Sequence, residues 1–276
     1  MVAETITVAA GEVHVLHRLA LAVEAVDALT RDGATGRLEV ARETARAPTG
    51  DHHRGFRDHG GSVFVLRHAP SSATALIRLV DRRREYVARR LEVPLWPRSV
   101  VAQADATPPG LFVPARSRLL RPWLLPGPAY RLPRGTTALR CRIVHQGEPV
   151  RWPRVEVFTT AGRLGWGHGD ERGEVLVVAT ERTAFPASGT STFLVAVRVH
   201  LRDPQVVVPL VRPGDPLSDL VVEQVPRSSA PPTASDLDND LLRGLRVPPG
   251  YSTALDQVIT LTAGRTAEIG DLSPLP

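Results

Sequence analysis

The sequence predicts a mainly β protein of two small β-sandwich domains, joined by a Pro-rich connector and followed by a tail with one short helix. Apolar and polar residues alternate over short runs, which is typical of strands with one buried face. Gly, Pro, Asp and Ser separate these runs at short intervals, as in sandwiches and barrels. A Pro-rich stretch divides the runs into two groups, and 276 residues are enough for two ordinary domains.

Residues 1–97 form the predicted N-terminal domain. Alternation of apolar residues from Val13 to Val23 predicts a first strand. The Asp32-Gly33 pair, with Gly36 close behind, predicts a hairpin turn because Gly tolerates positive φ. Further strands are predicted at Arg37 to Arg42, Ser62 to Arg67, Ala75 to Val80 and Tyr86 to Leu95.

Residues 98–136 form the predicted connector, because prolines remove amide donors and fix φ along the whole stretch. Its apolar residues Leu119, Trp123 and Leu124 are too hydrophobic to be left in water together. Two alternatives stay open for them. They pack on the domains of this chain, or they form an exposed docking site for a partner.

Residues 137–226 form the predicted second domain. The Gly-rich stretch from Gly165 to Gly173 lacks the ending of a phosphate loop and is interpreted as a β-turn. Cys141 alternates with apolar neighbours, which predicts a small buried side chain. Strands are predicted at Leu139 to Val144, Val155 to Thr159, Val175 to Thr180, Phe193 to His200 and Val206 to Val211.

Residues 227–276 form the predicted tail. A polar, Pro-rich hinge precedes a helix that Ser235 is expected to cap, and Leu237, Leu241 and Leu242 share one face of it. Val258 to Thr262 is expected to add a final strand. The tail is either a lid that completes the second domain or an arm that docks on a neighbouring subunit.

Composition limits the partners. One cysteine precludes an intrachain disulfide or a thiolate metal cluster, and no apolar run is long enough to predict a membrane helix. The N-terminus lacks a basic segment followed by an apolar one, so we expect synthesis and assembly in the cytoplasm. The net charge of +5 comes with dispersed arginines and 5% aromatic residues. This pattern disfavours nucleic acid and favours a protein partner.

No motif points to catalysis. The segment from Asp51 to Gly60 contains three histidines and two aspartates, but their spacing fits a solvated loop better than a metal site. No G-x-S-x-G nucleophile turn occurs. We therefore predict a non-enzymatic protein with no catalytic, metal or cofactor site. An enzyme would need a deep polar pocket near His52, His59 or Asp170.

One stretch resembles a known family. Residues 139–178 carry a strand, then Gly147-Glu148-Pro149-Val150, a second strand, and Asp170 to Gly173 before a third. This order is similar to carboxypeptidase regulatory-like domains, although Trp152 and Pro153 stand where that family has small residues. The resemblance implies an immunoglobulin- or transthyretin-like sandwich that serves as a spacer, folding aid or binding module.

The overall layout is similar to accessory proteins of actinobacterial phage-tail-like contractile injection systems. That resemblance implies a structural or assembly component of a multiprotein particle. Its partners would be other subunits, such as tail-tube, sheath, cap or baseplate proteins, or copies of itself. The alternative is a stand-alone binding module for a polysaccharide or protein ligand, which needs aromatic rings on one open face. The interaction residues expected from the sequence are Leu119, Trp123, Leu124, Leu237, Leu241 and Leu242.

Overall fold

The structure is a computed structural model of the chain. It describes residues 5–9, 12–16, 19–43, 55–67, 73–105, 110–185, 191–206 and 214–273, and for residues 5–9, 12–16, 104 and 105 it describes only the main chain. The protein is mainly β, as predicted, and helices are confined to short turns.

The strands in chain order are β1 (Thr5–Ala9), β2 (Glu12–Leu16), β3 (Leu19–Glu24), β4 (Val26–Asp27), β5 (Leu38–Arg42), β6 (Phe56–Asp58), β7 (Val63–Arg67), β8 (Thr74–Asp81), β9 (Arg89–Pro94), β10 (Leu119–Leu120), β11 (Trp123–Leu124), β12 (Ala138–His145), β13 (Glu148–Pro149), β14 (Arg154–Thr159), β15 (Gly162–His168), β16 (Glu174–Ala179), β17 (Thr192–Arg202), β18 (Glu223–Gln224), β19 (Tyr251–Thr262) and β20 (Thr266–Leu272). The α-helices are α1 (Arg98–Val101) and α2 (Ala234–Leu237), and 3-10 turns span Ala102–Asp105, Ala115–Arg118 and Arg182–Ala184.

A first hydrophobic core lies between two four-stranded sheets, with the orders β10-β3-β7-β6 and β18-β9-β8-β5. The alternating apolar residues of their strands meet there, and Val23, Ile77 and Leu91 are fully buried. Stacking the two sheets removes their facing apolar sides from water. The outer side of β3 and β7 carries a separate small buried cluster of Leu19, Ala22 and Val65.

A second hydrophobic core lies inside one large sheet of order β13-β12-β16-β15-β14-β17-β19, with β20 added beside β12 in parallel. Inward residues from seven of these strands, including Ile143, Val155 and Val197, belong to one buried cluster. The sheet must therefore curve around its own core instead of packing on a second sheet.

The stretches predicted as connector and tail contribute to both cores. Strands β10 and β11, from the predicted connector, pair in parallel with β3 and β4, and β18, from the predicted second domain, pairs in parallel with β9. Leu242 belongs to the first core, while β19 and β20 belong to the second sheet. The domain boundaries at 97, 136 and 226 stay a prediction.

The Gly-rich stretch predicted as a turn is a strand, and only its end turns. β15 runs from Gly162 to His168, and a Cβ at Gly165 would lie 2.4 Å from the carbonyl oxygen of Val178. Glycine is needed there for close approach to β16, a tertiary requirement that local sequence does not reveal. The turn itself follows at Asp170, whose Oδ1 accepts the main-chain N–H of Glu174.

The predicted tail helix is shorter than expected and is capped by a different residue. α2 begins after Thr233, which forms a reciprocal capping box with Asp236, whereas Ser235 lies inside the helix. The helix ends at Leu237, and Asn239 accepts the N–H of Leu242 through its side chain. Short polar side chains bond their own backbone here and stop the helix from continuing.

Other strand predictions differ in extent. The run from Val13 to Val23 divides into β2 and β3, the final strand starts at Tyr251, and β20 was not predicted. The turn at Asp32-Gly33 exists, since Val26 bridges Gly33, but β3 and β5 enter different sheets. Val206 lies outside any strand, and the rest of its predicted strand, residues 207–211, lies outside the described residues. None of the helices in the described part of the chain has the length and hydrophobicity to span a membrane.

Candidate interaction surface

The outward side of β14, β17 and β19 carries its side chains in cross-strand rows. Strand register aligns Phe158 with Ala196 and Val258 in one row. The next row aligns Glu156 with Arg198 and Asp256. Since residues two apart share a face of a strand, these rows form one continuous surface opposite the second core.

The apolar row is open to solvent at β19. Val258 is 64% exposed and Leu194, a diagonal neighbour on β17, is 66% exposed. Phe158 is half-buried, with the guanidinium of Arg198 5.1 Å from its ring centroid. We call Phe158, Leu194, Ala196 and Val258 the outer patch. An exposed apolar group on a sheet face is a feature of protein interaction sites.

The charged row separates the outer patch from the buried end of the same face. Arg198 forms an ion pair with Asp256 at 3.0 Å. The Nε2 of His200 donates to Glu156 at 2.9 Å. Burial acts to raise the pKa of Glu156, but the hydrogen bonds from His200 and Arg163 outweigh it and lower that pKa. Glu156 therefore stays ionised as a fixed polar boundary.

The opposite end of the face is buried under the tail. Arg154 and His168 face each other across β14 and β15, and both are 1% exposed. The Nε2 of His168 lies 2.7 Å from the carbonyl oxygen of Gly244, so it donates a hydrogen bond there. Burial, aided by the charges of Arg154 and Arg89, holds the pKa of His168 well below 6.5. The imidazole is therefore neutral and acts as a structural donor.

Strand β19 forms an edge with few of the features that usually protect against further pairing. It is 12 residues long, pairs with β17 on one side, and has no strand partner on the other side among the described residues. It contains no Pro, Arg or Lys, and its one charged residue, Asp256, is held by Arg198. By contrast, β20 carries two charged residues, Glu268 and Asp271, which discourage strand addition. Both strands have one register shift against their partners, which on β19 lies between Thr253 and Leu255, near its N-terminal end.

Half of the six interaction residues expected from the sequence are buried inside the protein. Leu124 is 1% exposed, Leu241 is 8% exposed and Leu242 is 0% exposed, and all three pack in the first core. For Leu124, the alternative of packing on this chain therefore holds. Leu241 and Leu242, expected in a lid on the second domain or in a docking arm, pack in the first core instead. Leu119, Trp123 and Leu237 are half-buried, and an interaction role for them stays a prediction.

Arg89 explains why the tail leucines are internal. Its guanidinium donates to the carbonyl oxygens of Leu241 at 2.7 Å and Leu242 at 2.6 Å. Trp123 donates its main-chain N–H to the carbonyl of Leu242 at 2.8 Å. These bonds satisfy carbonyls at the end of a turn, so Leu242 enters the first core without leaving its backbone unpaired.

Among the described residues, the histidines and carboxylates that a catalytic or metal site would need do not gather at one place. His59 is exposed, whereas Asp170 is buried and ion-paired to Arg84. His52 and His53 lie outside the described residues. Within the described ranges no group of three or more His, Cys, Asp and Glu residues is placed to hold a metal ion.

The four tryptophans do not line one open face. Trp152 is 0% exposed and Trp166 is 5% exposed. Trp123 lies between Arg31 and Arg243, with guanidinium-to-ring distances of 5.8 and 5.2 Å. Trp96 is half-buried beneath Arg227. The aromatic platform that a polysaccharide site needs is therefore not formed by these rings.

The outer patch was not predicted from the sequence, although its signal was present. Leu194 lies between Phe193 and Val195, in a run whose residues are apolar at both odd and even positions. Such a run indicates a strand without saying which side faces solvent. The unbroken apolar character of residues 193–197 was the sign of a second apolar face, but it does not separate a solvent-facing side from a second buried one.

Comparison with known proteins gives little further information. No family model matches this sequence, and no curated protein sequence matches it. A 9R-lipoxygenase from Cyanothece PCC8801 is 13% identical over 50% of this chain and 16% of its own, with a TM-score of 0.26. The Bacillus anthracis TIE protein is 8% identical over 92% of this chain and 33% of its own, with a TM-score of 0.23. A streptococcal ancillary pilin is 12% identical over 94% of this chain and 70% of its own, with a TM-score of 0.22. The chain thus spans a third or less of the first two structures, and at these TM-scores the likenesses carry no argument about function.

Proposed function

We propose that this protein is a non-catalytic structural or assembly subunit, and that it docks on another protein subunit through β19 and the outer patch. The observation that carries the proposal is the long, nearly uncharged edge of β19. Along this edge, backbone groups that no strand of the described residues pairs with lie beside the exposed side chains of Val258 and Leu194. A protein strand is the partner whose chemistry satisfies both features.

Strand addition suits this edge because it supplies backbone hydrogen bonds and apolar contact together. About half of the N–H and C=O groups of an edge strand point away from its sheet partner. An added strand bonds to them, and its side chains extend the row of Phe158, Ala196 and Val258. The ion pair of Arg198 with Asp256 then borders the contact and limits its register.

The particle in which this subunit acts is a finer part of the proposal. A phage-tail-like contractile injection system, with assembly in the cytoplasm, is the particle that the sequence layout favours. The carboxypeptidase regulatory-like resemblance supports the same role, since the Gly147 and Gly173 turns it requires both have positive φ. A stand-alone binding module is less supported, because Trp152 and Trp166 are buried.

The test is a pull-down of the tagged full-length protein from its own host, with quantitative mass spectrometry. Wild type is compared with Val258→Arg and with Leu111→Arg, a matched change at a residue 46% exposed elsewhere. We expect a particle subunit in defined stoichiometry with wild type and with Leu111→Arg, and its loss with Val258→Arg. Both changes are at the surface, so folding should be preserved.

Equal capture of the subunit by Val258→Arg would overturn the docking surface. Light scattering of the purified wild type decides whether the partner is a second copy of this chain. A dimer or polymer that Val258→Arg dissociates would assign the edge to self-assembly. Turnover of a substrate by the purified protein would overturn the non-catalytic assignment.

A further inference from the structure

A second feature of the molecule is a pocket lined by arginines, beside strands β12, β16 and β20 of the second sheet. It has a volume of about 500 Å³ and lies between the turn that follows β8, residues 128–129, and strands β12, β16 and β20. Arg84, Arg140 and Arg142 line it, together with Glu174 and Glu268. This volume is in the range of small-molecule sites, which are about 300–1,000 Å³. We call it the arginine pocket.

Among the arginines of this pocket, Arg140 is the one without a carboxylate partner among the described residues. Its Nη1 donates to the carbonyl oxygen of Pro128 at 2.8 Å, and its Nε is buried without a hydrogen-bond partner. No carboxylate of the described residues lies within ion-pairing distance of it, although Glu268 is its register neighbour on β20. A half-buried guanidinium with one neutral acceptor has donors left to bind an anion that approaches it.

The neighbouring arginines are fixed in position by carboxylates, which also compensate their charges. Arg84 uses Nη2 for both Asp170 and Glu174, and its Nε is also buried without a partner. Arg142 makes a two-pronged ion pair with Asp271, at 2.8 Å for each bond. These bonds hold the two guanidinium groups at the pocket wall before any ligand arrives, which favours binding of a planar or tetrahedral oxyanion.

The backbone leaves room for a ligand beside these side chains. The pairing of β12 with β20 shifts register between Arg140 and Cys141, and Gly270 stands at the shift with φ +75°. A Cβ at Gly270 would meet nothing within 4 Å, so the space there is open. Register shifts of this kind re-aim side chains next to functional sites.

We propose that the arginine pocket binds a small molecule through an oxyanion, a carboxylate or a phosphate group, with Arg140 as its main ligand. Glu174 does not oppose this, because it is held by Arg84 at 2.6 Å. Glu268 is exposed and bound to no arginine of the described residues, so it can turn to solvent when an anion enters.

Amide NMR titration of the full chain tests the proposal, with sodium phosphate and sodium acetate as separate probes at constant ionic strength. We expect saturable shifts around Arg140, Cys141 and Gly270 with at least one probe. Arg140→Gln should weaken that binding at least about tenfold, as expected for loss of a charge-assisted hydrogen bond. Arg142→Gln should weaken it less than about threefold, because an exposed arginine committed to Asp271 contributes little.

Ala129→Phe is a second test that leaves every charge in place. Ala129 is exposed and lines the pocket, so a phenyl ring there should exclude the probe without disturbing the core. Saturation by phosphate alone would assign a phosphate ester, and saturation by acetate would assign a carboxylate. Lack of saturation with both probes would overturn the proposal. Unchanged binding by Arg140→Gln or by Ala129→Phe would overturn it as well.

Discussion

The guanidinium of Arg89 and the carboxylate of Glu223 form a buried two-pronged ion pair, with Nε to Oε1 at 3.1 Å and Nη2 to Oε2 at 2.7 Å. The side chains are 0% and 5% exposed. The same guanidinium also donates hydrogen bonds to main-chain carbonyl oxygens of the tail and of β11. Arg89 therefore joins three distant parts of the chain to the first core.

Removing one member of this pair should destabilise the fold strongly. Glu223→Gln leaves the buried guanidinium of Arg89 without its counter-charge, which typically lowers the free energy of unfolding by about 3–5 kcal/mol. Urea unfolding at pH 7 measures it. The double variant Glu223→Gln with Arg89→Met should lose less free energy of unfolding than the two single variants lose in sum, because the two residues interact directly. Arg142→Met, in an exposed pair, is the control and should unfold near the wild-type midpoint. If Glu223→Gln had the same urea midpoint as wild type, the stabilising role of this ion pair would be contradicted.

Stability should decrease as the pH falls below 6.5, through His168. The folded state holds this imidazole neutral with a pKa well below 6.5, whereas the unfolded chain takes up a proton near 6.5. Because the unfolded state then binds more protons than the folded state, the free energy of unfolding decreases as the pH is lowered, by at most about 1.4 kcal/mol per pH unit for one group. Gln in its place keeps a donor for Gly244 without titrating. The difference in unfolding free energy between wild type and His168→Gln should therefore change with pH between 7.5 and 5.5 in urea unfolding, and a pH-independent difference would refute this role.

The three tyrosines should resist ionisation in the folded protein. Tyr86 and Tyr130 both donate to Oδ2 of Asp27, at 2.8 and 2.7 Å. Burial and then Asp27 raise the pKa of Tyr86 from 10.0 to about 12, and burial raises the pKa of Tyr251. Since the unfolded chain loses these protons near pH 10, stability should fall as pH rises from there toward 12.

Absorbance of phenolate at alkaline pH measures this directly. The urea-unfolded chain should titrate with a midpoint near the ordinary tyrosine value of about 10. The folded chain should show no phenolate until it unfolds. A native titration step near pH 10 would show that at least one of the three hydroxyls is free.

Two glycines with similar backbone angles should respond differently to alanine. Gly147 has φ +82° and open space at its Cβ position, whereas Gly173 has φ +74° and its Cβ would lie 2.5 Å from the carbonyl oxygen of Ile143. Gly147→Ala should therefore lower the free energy of unfolding by about 1–2 kcal/mol, the cost of placing a Cβ on a left-handed backbone. Gly173→Ala should lose a further ~1–3 kcal/mol from crowding. Thermal unfolding of the two variants compares them, and equal losses would place the effect in the backbone angle alone.

Much of the secondary structure was predictable because it follows from local alternation. Strands β5, β7, β8, β12, β14 and β16 lie within a residue or two of their predicted positions. The exceptions have tertiary causes. β15 was hidden by Gly165 and Gly167, which are required by the approach of β16. The tail helix stopped early because Asn239 bonds the backbone of Leu242.

The candidate surface was less predictable. The sequence pointed to Leu124, Leu241 and Leu242, and their hydrophobicity was the right signal for burial, but it could not say whether a partner or this chain covers them. Arg89 decides that, from a strand more than a hundred residues before the tail. Leu194 and Val258 look no different in the sequence from the buried residues around them.

The sequence by itself determined a mainly β protein, because side-chain alternation and the positions of Gly and Pro depend only on neighbouring residues. It also determined the single cysteine and the arginine-rich charge. Only the tertiary structure decided that β3 and β5 join different sheets, that the tail enters the first core, and that Arg140 lacks a carboxylate partner among the described residues. Those outcomes depend on contacts between residues far apart in the chain, where pairing, burial and charge compensation are settled together and no local pattern records the result.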